Sequence, residues 1–209
     1  MPSNNYTFLV GAPGSRWSGL AQLLTEHFDY NTSDETPDRT YVHGSFSGHS
    51  GSYFGPEMEL GHDFHRLEYS YIGRSRFENA CDSPFTNLYT DKTKMIKCHQ
   101  FAYGLDWLKK TIPNSNILLV KRDSDRAFDW WKRAGGWDIS YPNYTWYVDD
   151  VHMQHYIETE IKLANIFVKE TDNEWSTFTK EWVEENFGTS EMDIPNNYDD
   201  VEVCLIRTD

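Results

Sequence analysis

Tyr6-Thr7-Phe8-Leu9-Val10-Gly11-Ala12-Pro13-Gly14-Ser15-Arg16-Trp17-Ser18 runs from a short apolar segment into a loop suited to holding an anion. Phe8-Leu9-Val10, ended by Gly11, fits a central strand of a parallel sheet, buried on both faces. Beyond the loop, Leu20, Leu23, Leu24, His27 and Phe28 recur at helical spacing, so a helix opens near Ser18. Strand, loop and helix in that order make the first half of a βαβ unit. Gly11 to Ser18 has the length of the phosphate-binding pattern G-x-x-x-x-G-K-[ST], with Arg16-Trp17 where that pattern has Gly-Lys. Successive N–H groups in such a turn, leading into a helix N-terminus, form a nest for phosphate or sulfate. ATP and GTP enzymes also need the lysine on the terminal phosphates and a hydroxyl on Mg²⁺. A loop that keeps the cradle and lacks the lysine points to a different anionic nucleotide, handled without metal.

Downstream, residues 31–94 are rich in Gly, Ser, His, Asp and aromatics and keep no sustained period. We read them as loops walling the substrate side, with a short strand around residues 40–43. Regularity returns at residues 95–99, a strand running into Lys97-Cys98-His99. Phe101, Leu105, Leu108 and Ile112 then predict a helix over 101–111, broken by Pro113-Asn114-Ser115. Ile117-Leu118-Leu119-Val120 is a second buried strand, and Lys121-Arg122-Asp123-Ser124 turns into a helix closed by Gly135-Gly136. Two acidic amphipathic helices follow, one marked by Ile157, Ile161, Ala164 and Val168, the other by Trp175, Phe178 and Trp182 and stopped at Gly188. Residues 201–206 are apolar enough for a last strand. The order predicts one α/β domain over 1–209, three-layered, with a mainly parallel sheet, flanking helices and a P-loop type of nucleotide site.

Composition narrows the partners. A net charge of −14 argues against nucleic acid or an anionic membrane, both of which reward basic patches. An acidic protein that binds a charged nucleotide must concentrate its positive charge locally, so individual Arg and Lys residues near the loop carry information. Cys81, Cys98 and Cys204 are too few and odd in number for a disulfide framework, and read as small hydrophobes of a reducing compartment. No signal peptide or membrane span is visible, so a cytoplasmic protein is expected.

Ligands of open α/β sheets bind beyond the carboxyl ends of the strands. Three predicted strand ends carry polar residues there: 14–18 (Gly14, Ser15, Arg16, Trp17, Ser18), Lys97 to His99, and Arg122. This constellation resembles the sulfotransferases that use 3′-phosphoadenosine 5′-phosphosulfate (PAPS). Their phosphosulfate loop, often Pro-[Lys/Arg]-Ser-Gly-Thr-Thr, is similar to Pro13-Gly14-Ser15-Arg16-Trp17-Ser18. Their Lys-Thr-His segment is matched by Lys97-Cys98-His99, and their strand ending in Arg-[Asn/Asp]-Pro by Val120-Lys121-Arg122-Asp123-Ser124. The resemblance covers roughly residues 6–28 and 95–134. It implies that residues 14–18 hold the 5′-phosphosulfate and Arg122 the 3′-phosphate, with His99 as general base and Lys97 near the bridging oxygen. It also implies adenosine 3′,5′-bisphosphate as product and a small-molecule or carbohydrate acceptor. The departures are Arg16 in a shifted place, Trp17 for a threonine, Ser124 for the proline, and Trp130 where the family has its 3′-phosphate serine. Either the helix is shifted by a residue, or Ser124, Arg126 or Arg133 substitutes, or the 3′-phosphate is held differently.

Each residue also has a plainer reading. Gly11 to Ser15 can be an ordinary turn, His99 structural, and Arg122 a counter-ion for Asp123 or Asp125. Trp130, with Ala127 and Ala134, sits at helical core spacing. His62 and His65, with His43 and His49 nearby, make only a weak zinc pattern, and Glu57, Glu59 or His62 can replace His99 as base. A P-loop phosphotransferase and a non-catalytic nucleotide- or glycan-binding module remain the other classes.

Overall fold

The computed structural model describes residues 6–35, 71–88, 90–138, 148–188 and 191–208. Its first strand, β1 (Tyr6–Gly11), is buried along its whole length, as a continuous apolar run demands. The chain continues through α1 (Trp17–His27), α2 (Arg74–Asp82) and β2 (Lys94–Lys97). A 3-10 helix, His99–Gly104, then leads into α3 (Leu105–Thr111), followed by β3 (Asn116–Lys121) and α4 (Ser124–Arg133). Last come α5 (Asp150–Glu170), β4 (Ser176–Thr177), α6 (Lys180–Phe187) and β5 (Glu202–Arg207).

Among the described residues five strands lie in the order β2-β1-β3-β5-β4. β1 runs parallel to both β2 and β3, and β5 runs against β3 and β4, so the sheet is mixed and mostly parallel. The chain leaves β1 for β2 on one side and returns to β3 on the other. Strand order therefore reverses between β1 and β3, which is where doubly wound sheets open a ligand crevice at their carboxyl ends. Gly11 is paired with Val120 and Leu9 with Lys97, which puts the loop, Arg122 and His99 along one edge of the sheet.

Side chains alternate across β1 and divide the core. Tyr6, Phe8 and Val10 face α2, α3 and α5 through Phe77, Cys81, Leu105, Leu108, Phe167 and Val168. Leu9, with Leu118 and Val120 of β3, faces α1 and α6 through Trp17, Leu20, Leu24, Trp182 and Val183. A third cluster, Ala12, Ala127, Trp131, Met153 and Ile157, packs α4 and α5 against the loop at the carboxyl edge. The cysteines are buried and unbridged, and burial pushes the Cys204 thiol up to about 11. Among the described residues no helix is long and apolar enough to cross a membrane.

Several elements differ from the sequence reading. The loop-rich stretch contains α2, which the sequence reading placed among loops. Trp175 and Phe178 precede α6 instead of lying in it, because residues 176–177 pair with β5 and Thr179 caps the helix at Trp182 N–H. His99 opens the 3-10 helix instead of ending the strand, and the last strand is antiparallel. Residues 40–43, with Glu57, Glu59, His62 and the other histidines of that segment, lie outside the described residues.

Candidate anion site at the β1–β3 crevice

Two residues of the loop take left-handed backbone, Gly14 at φ +80° and Arg16 at φ +72°. Arg16 stands where the phosphate-loop pattern has its second glycine, so the chain bears at Arg16 a strain that glycine would avoid. The turn is fixed by Ser15 N–H donating to the Ala12 carbonyl, and α1 follows with Leu20 N–H donating to Arg16. Arg16 sits at the N-cap and has no side-chain oxygen to offer, so no side chain caps α1. Its first N–H groups are therefore left without a side-chain cap at the positive end of the helix dipole. At this position Gly and Ala separate backbone strain from ligand contact. Arg16→Gly is expected to be more stable than Arg16→Ala by about 1 kcal/mol, both binding anions more weakly than the parent. Equal melting temperatures for the two variants would refute the strain.

Around this loop, polar atoms are buried without a hydrogen bond among the described residues: Ser15 Oγ, Ser18 Oγ, Arg16 Nε, and Arg122 Nε and Nη1. Each unsatisfied buried group costs about 1–3 kcal/mol, and native folds rarely concentrate them. Arg122 is 2% exposed. Its Nη2 donates to the Asn197 carbonyl at 2.7 Å and pairs with Asp200 at 2.6 Å, so the remaining guanidinium donors are held in a fixed direction. Burial lowers the Arg122 pKa from its ordinary value, Asp200 opposes that, and the neighbouring Arg16 charge lowers it further. Arg122 therefore pairs with Asp200, not with the adjacent Asp123 or Asp125. Asp123 instead caps α4 by accepting from Asp125 and Arg126 N–H.

Trp130 is not a core residue. The buried face of α4 is Ala127 and Trp131, one residue round from the predicted stripe. Trp130 instead lies under guanidinium groups, with Arg16 at 4.7 Å, Arg122 at 5.0 Å and Arg133 at 5.4 Å from its ring centroid. Arg16 also lies over Tyr198, at 5.2 Å.

His99 is buried and its Nδ1 lies 2.7 Å from Glu160 Oε1, a carboxylate also buried, on α5. With Nδ1–H donating to Glu160, the basic lone pair of the neutral imidazole is on Nε2. The Trp17 ring stands edge-on to His99, centroids 6.4 Å apart, so the side chain at the lysine position joins the core and reaches the imidazole. Burial first, then the Glu160 charge, raises the pKa of Tyr103 and of Tyr156, which keeps both phenols protonated beside the pair. Glu160 was not foreseen, although one signal was readable. It sits in the apolar stripe Met153, Ile157, Glu160, Ala164, Phe167, where a lone carboxylate requires a partner.

Lys97 is buried at the end of β2, on the same edge. Burial and the Asp34 charge raise the Glu35 carboxyl pKa, and the Lys97 charge works against them. The structure thus brings Arg16, Arg122 and Trp130 together with the serines, and joins His99 to Trp17. Among the described residues no three His, Cys, Asp or Glu side chains are grouped to hold a metal ion. Comparison with protein-family models, curated proteins and solved structures found no match for the chain.

Proposed function

We propose that this chain is a PAPS-dependent sulfotransferase whose nucleotide lies in the β1–β3 crevice. The observation that supports the reading is the convergence of unsatisfied buried donors from Ser15, Arg16, Ser18 and Arg122 at the strand-order reversal. Donors so directed fit a doubly anionic nucleotide, as does the P-loop-like loop before α1. Trp17 takes the lysine position of ATP and GTP enzymes and is packed in the core, which favours a different nucleotide.

When bound, PAPS supplies the sulfuryl group, and adenosine 3′,5′-bisphosphate is released. The loop N–H groups, both serines and Arg16 would bind the 5′-phosphosulfate, and Arg122 the 3′-phosphate. Lys97 and the α1 N-terminus stabilise charge on the leaving phosphate oxygen, an electrostatic role typical of in-line group transfer. His99 Nε2 takes the proton of the acceptor hydroxyl while Glu160 steadies the imidazolium that results.

The test is a thermal-shift series with adenosine 3′,5′-bisphosphate, ATP and GTP. The bisphosphate is expected to stabilise by about 2.7 kcal/mol at a hundredfold excess over Kd. Arg122→Lys keeps the charge and loses the planar fork, so affinity should fall about 10- to 100-fold. No response to the bisphosphate would end this reading. A response to ATP that EDTA abolishes would transfer the case to a phosphotransferase. One observation favours a second reading, a nucleotide-binding module without transfer: His99 is only 2% exposed. Tight bisphosphate binding with no sulfate transfer to any acceptor would decide for it.

A further inference from the structure

Arg126, Trp130 and Arg133 lie at i, i+4 and i+7 on one face of α4, and Arg16 and Arg122 reach the same indole from the loop and from the end of β3. Cation–π attraction contributes about 0.5–2 kcal/mol per pair, and one ring cannot neutralise several guanidinium groups that also repel one another. Asp200 pairs with Arg122 and Arg126. Arg16 and Arg133 pair with no carboxylate among the described residues. Of the acidic side chains on or beside α4, Asp123 is the helix cap and Asp125 accepts from Gln154, while Asp129 is exposed next to Trp130. In a chain of net charge −14, four arginines gathered around one indole and its helix face are a local concentration of positive charge suited to an anionic ligand.

We propose that Trp130 is a positioning platform that holds Arg16, Arg122 and Arg133 as one phosphate-reading cluster. The site thereby selects a nucleotide with two separate phosphate groups, one at the α1 cradle and one on the cluster. The proposal rests on the nucleotide reading above and adds the residue that sets its selectivity. An indole has a single N–H and cannot replace a hydroxyl as phosphate ligand, but its face aligns guanidinium groups whose own donors carry the recognition. Trp130 is half-buried, and its ring centroid lies within 5.4 Å of the three guanidinium groups.

The experiment is calorimetric titration of the full chain with adenosine 3′,5′-bisphosphate and with AMP, at fixed salt, for the parent, Trp130→Ala and Trp130→Phe. The parent should bind the bisphosphate about 100-fold more tightly than AMP, the value of one or two charge-assisted hydrogen bonds. Trp130→Ala should reduce that ratio to within about threefold of unity, mostly through loss of bisphosphate affinity. Trp130→Phe, which keeps an aromatic face, should retain at least a tenfold preference. Selectivity unchanged in Trp130→Ala, with AMP and bisphosphate still bound, overturns the role of Trp130 and leaves the nucleotide site standing. Failure of the parent to bind either nucleotide overturns both. The melting temperature and circular dichroism of each variant are measured alongside, and Trp130→Phe carries the test if the alanine variant does not fold.

Discussion

Substitution of His99 is expected to slow sulfate transfer by about 10²–10⁴-fold while nucleotide affinity changes less than about threefold. The choice of replacement matters. Alanine would leave the Glu160 carboxylate buried without its partner at 2.7 Å, and stranding one member of a buried pair costs about 3–5 kcal/mol. His99→Asn retains an N–H able to donate to Glu160 and has no group that can act as a base near neutral pH. It should fold, bind adenosine 3′,5′-bisphosphate and fail to turn over. Glu160→Gln provides the complementary measurement. It keeps an acceptor for Nδ1–H but removes the charge that steadies the imidazolium, so turnover falls by less than in His99→Asn and the acidic limb of the pH–rate profile moves. His99→Asn turning over at the parental rate would exclude the imidazole as base and move attention to Glu57, Glu59 and His62.

How much of this was readable in the sequence differs by element, for physical reasons. β1 and β3 were legible because strands buried on both faces are continuous apolar runs, whereas the strand order, with its reversal at β1, is set by tertiary pairing that the succession of elements does not give. The strand–helix–strand succession implies parallel strands, and that is enough to put residues 14–18 and Arg122 at the same end of the sheet. α2 was not legible. Within Arg74–Asp82 only Phe77 and Cys81 are buried, one i, i+4 pair set among charged residues, which is too short a pattern to separate from a loop. On α4, Ala127 is followed at helical spacing by both Trp130 and Trp131, and periodicity cannot choose between adjacent aromatics. The arginines at 126 and 133 held the deciding signal, since they flank 130 on the same face. Trp175 and Phe178 mimic a helix with Trp182, but pairing of Ser176 and Thr177 with β5 claims the segment first, and a capping Thr179 restarts the chain as α6. Asp200 and Asn197, which orient Arg122, are joined to it only by tertiary contact.

The same close packing explains why Gly14 is the position at which substitution is expected to harm the fold most. Its φ of +80° is a conformation that costs an L-residue about 1–2 kcal/mol. Space is the larger obstacle. A Cβ there would overlap the Ala127 carbonyl oxygen, and would sit 2.8 Å from the Ala127 carbonyl carbon and 2.9 Å from Trp131 N. All of these are backbone atoms of α4, so no rotamer change relieves the collision and the helix itself must move. Overpacking of this kind costs a further 1–3 kcal/mol or so, giving a total of about 2–5 kcal/mol. For a chain of this size that corresponds to a fall in melting temperature of about 10 °C. Gly73→Ala is the control, because a Cβ there meets nothing within 4 Å, and it should cost no more than about 1 kcal/mol, the loss of a glycine from the N-cap of α2. Displacing α4 also displaces Trp130 from Arg16 and Arg122, so Gly14→Ala should lose bisphosphate affinity together with stability. A Gly14→Ala protein that melts within 2 °C or so of the parent and binds nucleotide normally would mean that the loop does not rest on α4, and the shared crevice would fall with that contact.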